Sequence, residues 1–117
     1  MREHGKLRAF ELADELALMI YRVTRIFPRD ELYGLTSQMR RAAVSIPSNI
    51  VEGCGRTTQA DYRHFLEIAF GSLRELIYQS SLSKRLGYIE ETDSLAINEK
   101  LSETERVLAA LIRSIRE

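Results

Sequence analysis

Cysteine, histidine and tryptophan are scarce or absent in this sequence. The single cysteine, Cys54, excludes an internal disulfide and any metal site built from several cysteines. Only two histidines are present, and neither His4 nor His64 lies three residues after a glutamate, the spacing that di-iron helical bundles use. We therefore expect neither a metal ion nor another cofactor.

Long apolar runs are absent as well. No stretch approaches the ~20 apolar residues that a membrane-spanning helix needs. The first six residues also lack the apolar core of a signal peptide. These absences predict a cytoplasmic protein that does not use a membrane as a partner.

Groups that carry out catalysis do not cluster along the chain. Cys54 and His64 come nearest to a thiol–imidazole pair, but they lie ten residues apart and no third member is evident. Two glycines flank Cys54, but the strand that must precede a phosphate-binding loop is absent. We interpret Cys54 as a small apolar residue in a turn, and we expect no enzymatic activity.

Charge is balanced overall but uneven along the chain. Lys and Arg together number 17, as do Asp and Glu, and this net charge of zero disfavours a strongly phosphate-binding protein. Residues 34–85 carry seven basic and four acidic side chains, a net of +3, whereas residues 86–117 carry four basic and seven acidic ones, a net of −3. The middle of the chain is therefore the part expected to attract an anion.

Apolar residues recur at steps of three and four through most of the chain. This spacing is the period of an amphipathic helix, and no segment shows the alternation of a strand. The pattern predicts four helices, over residues 8–27, 36–52, 59–86 and 93–115.

Local signals mark the ends of these segments. Pro28 stops the first, and Thr58 is placed to cap the third. Gly53 and Gly87 lie where helix-capping glycines are expected. Pro47 falls inside the second apolar stripe, which predicts a kinked helix.

The links between the segments are short, which predicts antiparallel neighbours. The expected fold is all-α: one domain of residues 1–117, an up-down-up-down four-helix bundle. Some apolar side chains lie outside the main stripes, so a lone bundle would expose them, and this predicts a homo-oligomer. These side chains are Phe10, Leu18, Met19, Phe70 and Leu82.

Basic side chains of the middle segment form one candidate site for an anion or nucleic acid. They are Arg40, Arg41, Arg56, Arg63 and Arg74. Two interpretations stay open, ordinary solvated charges or contacts to RNA phosphates. The tyrosines are scattered along the chain, so an aromatic platform for stacking single-stranded bases is not evident.

Three stretches of the sequence resemble a known family. Residues 27–53 read FPRDELYGLTSQMRRAAVSIPSNIVEG, residues 65–76 read FLEIAFGSLREL, and residues 86–89 read LGYI. They closely resemble the bacterial four helix bundle protein family, also called the 23S rRNA-intervening-sequence protein family. The resemblance covers about residues 7–112.

The resemblance implies a four-helix bundle that assembles as a barrel-like homopentamer. Some members are encoded within intervening sequences of ribosomal RNA genes, and related accessory proteins of retroelements contact a reverse transcriptase and nucleic acid through a basic surface. Family-motif positions matched here comprise Arg40, Arg41 and four residues to which we assign structural roles, Pro47, Asn49, Glu52 and Gly53. Members often carry tryptophan where this chain has Phe10, and the basic character of the retroelement relatives is missing.

Taken together, the sequence predicts a non-enzymatic homo-oligomeric scaffold or adaptor that binds RNA or an RNA-processing partner. The alternative is a protein–protein interaction module without nucleic-acid contact, which the zero net charge favours. In both cases the first expected partner is the chain itself.

Overall fold

Four α-helices make up most of the structure, a computed structural model that describes residues 2–115. They are α1 (Arg8–Thr24), α2 (Leu35–Cys54), α3 (Gln59–Arg85) and α4 (Glu91–Ser114). Two short 3₁₀ helices, His4–Lys6 and Arg29–Glu31, precede α1 and α2. The described residues contain no strand, which confirms the all-helical prediction.

Each helix contributes one buried stripe to a common core, as in a four-helix bundle. Thr104 is the polar member of the α4 stripe, and it is fully buried. Its hydroxyl donates to the Lys100 carbonyl at 2.7 Å, so it needs no partner from another helix. The largest fully buried apolar side chains are Leu12, Leu16, Ile20, Met39, Ile46, Ile50, Leu66, Leu73, Leu76 and Leu108.

Gly53 allows α2 and α3 to approach closely. A Cβ added there would lie 3.1 Å from Phe65 Cβ and 3.2 Å from Tyr62 Cδ1. The prediction that Gly53 caps α2 is wrong, because the helix continues through Cys54 and Gly53 lacks the positive φ of a capping glycine. Cys54 is accordingly a buried residue of α2 and not part of a turn.

The ends of α3 follow the local signals. Thr58 Oγ1 accepts the Asp61 N–H at 3.1 Å, which confirms Thr58 as the N-cap of α3. At the other end Gly87 has φ +81°, and the N–H of Tyr88 donates to the Ser83 carbonyl at 2.9 Å. This is the Schellman arrangement, in which a left-handed glycine lets the chain turn back over the last helical turn.

The first helix ends earlier than predicted. The apolar stripe continues to Phe27, but α1 stops at Thr24. Residues 25–27 form a tighter turn before Pro28, in which the Phe27 N–H donates to the Thr24 carbonyl at 3.2 Å. Proline disfavours helical geometry in the residue before it, so the stripe outlasts the helix.

No helix within residues 2–115 combines the length and the hydrophobicity needed to cross a membrane.

Candidate interaction surface

The groove between the end of α1 and the start of α2 brings together two tyrosines and two arginines. We call it the tyrosine groove, lined by Tyr21, Leu32, Tyr33, Arg40, Arg41 and Val44. It is open to solvent and has a volume of about 680 Å³, which is room for side chains of another molecule. The tyrosines are scattered in the sequence, but the fold places two of them on one surface.

Arg40 joins α2 to α1 at one wall of this groove. Its Nε donates to Thr24 Oγ1 at 2.8 Å, and its Nη2 donates to the Tyr21 carbonyl at 3.3 Å. The guanidinium carbon lies 4.7 Å from the centre of the Tyr21 ring, within the range of a cation–π contact. Arg40 is therefore held by contacts within its own chain.

Glu31 fixes the turn that leads into α2. Its Oε1 accepts the Leu35 N–H and its Oε2 accepts the Tyr88 hydroxyl, both at 3.0 Å. The bond to Glu31 raises the pKa of Tyr88, because only the protonated phenol donates. A Cβ on Gly34 would lie 2.7 Å from Glu31 Oε1, so glycine leaves room for this carboxylate. Tyr33, between Glu31 and Gly34, is thus carried on a fixed turn.

Apolar side chains of this turn point into solvent. Tyr33 is 93% exposed and Leu32 is 52% exposed, although both sit beside well-packed helix ends. Such exposure on an anchored turn marks a surface suited to association. Helical periodicity in the sequence does not mark this surface, because Leu32 and Tyr33 lie in a link between helices and not on a helical face.

The off-stripe residues themselves behave differently from the expectation. Phe10, Met19, Phe70 and Leu82 are partly buried against the core. Only Leu18 of this set counts as exposed. The others pack partly against the core, so their positions outside a stripe do not by themselves indicate a partner.

Arg56 and Arg74 are paired within the chain. Arg56 donates to Glu52 Oε1 at 2.8 Å and lies 4.6 Å from the centre of the Phe65 ring. Arg74 on α3 donates to Glu105 on α4. Exposed pairs of this kind contribute at most ~1 kcal/mol each, but they do neutralise the charges that a phosphate would need.

Arg63 and Arg41 complete the predicted set. Arg63 lies 3.5 Å from Glu67 and donates to the Ile115 carbonyl at 3.4 Å. Arg41 is exposed, and within the described part of the chain its side chain makes no hydrogen bond or ion pair. The five arginines therefore do not converge on one site, and Arg41 is the member that is free to contact a ligand.

Asn49, on the stretch of α2 that contains Pro47, belongs to a polar link between α2 and α3. The helix runs without a break through Pro47. Asn49 Nδ2 donates to the Ser45 carbonyl at 2.8 Å and to Ser45 Oγ at 3.0 Å, and Ser45 Oγ lies 2.8 Å from Ser72 Oγ on α3. These contacts suit the structural role that we assign to Asn49.

Reactive groups of the catalytic or metal-binding kind are not assembled. Across residues 2–115 no three His, Cys, Asp or Glu side chains lie close enough together to hold a metal ion. Burial raises the pKa of the Cys54 thiol, which disfavours the nucleophilic thiolate. His64 is exposed on α3, whereas Cys54 is buried at the end of α2.

Comparisons with known proteins agree with the fold. A family model described as 23S rRNA-intervening sequence protein matches residues 5–110. A crystal structure of a protein with unknown function from the S23 ribosomal protein family, from Bacteroides thetaiotaomicron VPI-5482, is similar with a TM-score of 0.82 and 24% identity. The match covers 91% of this chain and 96% of that chain, and at this identity it speaks for the fold alone. No curated protein matches the sequence significantly.

Proposed function

The chain belongs to the 23S rRNA-intervening sequence protein family, and from that premise we propose that it is a non-enzymatic scaffold that assembles with further copies of itself. The proposal includes a cytoplasmic location and the pentamer that the family resemblance implies. It also includes the antiparallel order of the helices. Contacts that pair Gly53 with Tyr62 and Ser45 with Ser72 support this order, since later residues of α2 meet earlier residues of α3.

The observation that carries the proposal is the exposed apolar turn beside the tyrosine groove. Tyr33 and Leu32 together present a large apolar surface to water. Both carboxylate oxygens of Glu31 accept hydrogen bonds, and these bonds fix the turn that carries the two side chains. A surface that is already ordered loses little conformational freedom when a partner docks, which favours binding. Exposed apolar surface on an ordered segment is typical of protein association.

RNA contact is the second candidate, and one feature of the groove favours it. Tyr21 and Tyr33 line the same groove as Arg41, and aromatic rings in a basic groove are the combination that binds single-stranded nucleic acid. The other groove arginine, Arg40, is engaged by Thr24 and Tyr21. A groove that neutralises one phosphate would give a slope of only about −0.7 in log affinity against log salt concentration. The geometry therefore favours a protein partner over RNA.

Size-exclusion chromatography with light scattering and absorbance at 260 and 280 nm tests the proposal. One chain has a mass of 13.5 kDa, so five copies amount to 67.5 kDa. The sequence has no tryptophan, and any bound RNA would therefore dominate the absorbance at 260 nm. We expect a mass of several chains with the absorbance of protein alone.

The other outcomes separate the candidates. A particle of 13.5 kDa would contradict self-association. An oligomer with excess absorbance at 260 nm would favour the RNA candidate, and the Arg41→Ala variant would then be expected to lose that excess. An oligomer that carries no RNA and shows no enzymatic activity on RNA or protein substrates would support the scaffold proposal.

A further inference from the structure

A second groove lies between α3 and α4, away from the tyrosine groove. We call it the α3–α4 groove, lined by Glu67, Phe70, Ala109, Ile112 and Arg113. Phe70 and Ile112 are only half-buried, so the floor of the groove is apolar and partly exposed. Its volume is about 410 Å³ and it is open to solvent.

Tyr33 protrudes from the surface, whereas the α3–α4 groove is a depression in it. It is the most exposed large apolar side chain among the described residues, at 93%, and it stands on the turn that Glu31 and Gly34 fix. One chain therefore carries both a protruding aromatic side chain and an apolar groove, and the two lie on different faces.

We propose that Tyr33 of one copy inserts into the α3–α4 groove of a second copy, with its ring against Phe70 and Ile112. This inference rests on the proposed self-association and specifies the surfaces that meet. Offset or edge-on contact between the Tyr33 and Phe70 rings adds a geometric preference to the burial of apolar surface. An aromatic side chain that fills a pocket is the usual centre of a protein interface.

Charges beside the two surfaces are complementary. Asp30 and Arg41 flank the Tyr33 turn and its groove, and both are exposed. Glu67 and Arg113 flank the α3–α4 groove. Arg41 can therefore approach Glu67, whose contact to Arg63 is long at 3.5 Å, while Asp30 approaches Arg113. This complementarity supports a second copy of the chain as the occupant.

The contact uses a different surface on each copy. After one contact forms, the pair still has one free Tyr33 and one free groove, so further copies add until the two ends meet. A two-fold dimer, in which both copies use the same patch, is not the form that this geometry predicts.

Two single variants remove the contact from opposite sides. Tyr33→Ser removes the protruding ring, and Ala109→Arg places a long charged side chain in the groove while keeping a good helix former whose head can reach water. Each is expected to weaken assembly by about 30-fold or more, the effect of losing an interface anchor. The control is Tyr78→Ser, since Tyr78 is 60% exposed on α3 and lines neither groove.

Mixing the two variants gives the decisive measurement. The Ala109→Arg copy keeps Tyr33, and the Tyr33→Ser copy keeps its groove, so one intact contact can form between them. We expect each variant alone at 13.5 kDa, and a 1:1 mixture with a new species at 27 kDa, twice that mass, and nothing larger. Circular dichroism melts of each variant verify that it is folded, and Tyr78→Ser should assemble like the wild type.

Failure of this inference differs from failure of the scaffold proposal. If the wild type assembles and Tyr33→Ser assembles equally well, or if the mixture yields no 27 kDa species, the Tyr33 contact is wrong while self-association stands. If Tyr33→Ser keeps the wild-type mass but loses RNA-derived absorbance at 260 nm, Tyr33 serves RNA and the contact is also wrong. A wild type at 13.5 kDa overturns both proposals.

Discussion

Gly53 and Gly71 offer a matched test of how tightly α2 and α3 pack. In a helix interior, alanine is more stable than glycine by about 1 kcal/mol. Gly71 is exposed in the middle of α3, and a Cβ added there would meet no atom within 4 Å. Gly71→Ala should therefore raise the free energy of unfolding by about 1 kcal/mol, which corresponds to roughly 4 °C in Tm.

At Gly53 the same methyl group meets three close neighbours. It would lie 3.1 Å from Phe65 Cβ, 3.2 Å from Tyr62 Cδ1 and 3.3 Å from the Tyr62 carbonyl oxygen. The Cβ and the carbonyl oxygen are fixed by the α3 backbone, so the helices themselves must move apart. Overpacking costs about 1–3 kcal/mol, which exceeds the gain in helix propensity near the end of α2. We expect Gly53→Ala to lower the free energy of unfolding by about 1 kcal/mol.

Urea denaturation followed by helical circular dichroism measures both variants. All samples need the same protein concentration, because self-association stabilises the folded state by mass action. The two substitutions should shift the midpoint in opposite directions, a difference of about 2 kcal/mol in the free energy of unfolding. Stabilisation of equal size by both variants would refute the close approach of α2 and α3.

Two further predictions concern the tyrosine groove and the turn that Glu31 fixes beside it. Arg40→Ala should lower the free energy of unfolding by about 1 kcal/mol, because it removes the hydrogen bond to Thr24. Arg41→Ala, at the next position, should change the free energy of unfolding by less than about 0.5 kcal/mol. Equal effects of the two variants in urea denaturation would contradict the different roles of Arg40 and Arg41. The hydrogen bond to Glu31 raises the pKa of Tyr88 above its usual value of 10.0. The Tyr88–Glu31 pair therefore stabilises the folded state fully below pH 10.0, and this stabilisation is lost as the pH rises above that value. Tyr88→Phe should therefore flatten the alkaline fall in stability, and an unchanged fall would show that the bond contributes nothing.

The charged groups also show why the candidate RNA site is weaker than the sequence suggests. In the sequence the basic residues between 34 and 85 exceed the acidic ones by three. In the fold, Arg74 pairs with Glu105 from the acidic C-terminal segment, and Arg8 pairs with Glu103. The Arg74–Glu105 pair thus joins the segment of excess positive charge to the segment of excess negative charge across α3 and α4, and Glu103 of the acidic segment is already paired with Arg8 of α1. A phosphate-binding surface would have to compete with these pairs.

Local signals were sufficient to predict the helices. The start and end of α3 depend on Thr58 and Gly87, which act on backbone groups within a few residues. Amphipathic periodicity likewise needs only neighbouring turns of the same helix. The predicted starts of α1 and α3 therefore coincide with those observed, and the other bounds differ by one to three residues. The largest difference is at the end of α1, where the helix stops before Pro28 although the apolar stripe continues.

The candidate surface depended on contacts between distant residues. Tyr21 and Tyr33 meet on one groove because Arg40 ties α2 back to α1, and Tyr33 is held outward because Tyr88, 57 residues beyond Glu31, donates to that carboxylate. Neither contact leaves a periodic trace in the sequence. The periodicity of a single sequence indicates which face of a helix is buried. Which side chains of another helix contact that face is decided by how the helices pack against each other. The sequence thus determined the helices and the family, and the tertiary structure decided which arginines are engaged, why Gly53 is a glycine, and where the apolar surface faces solvent.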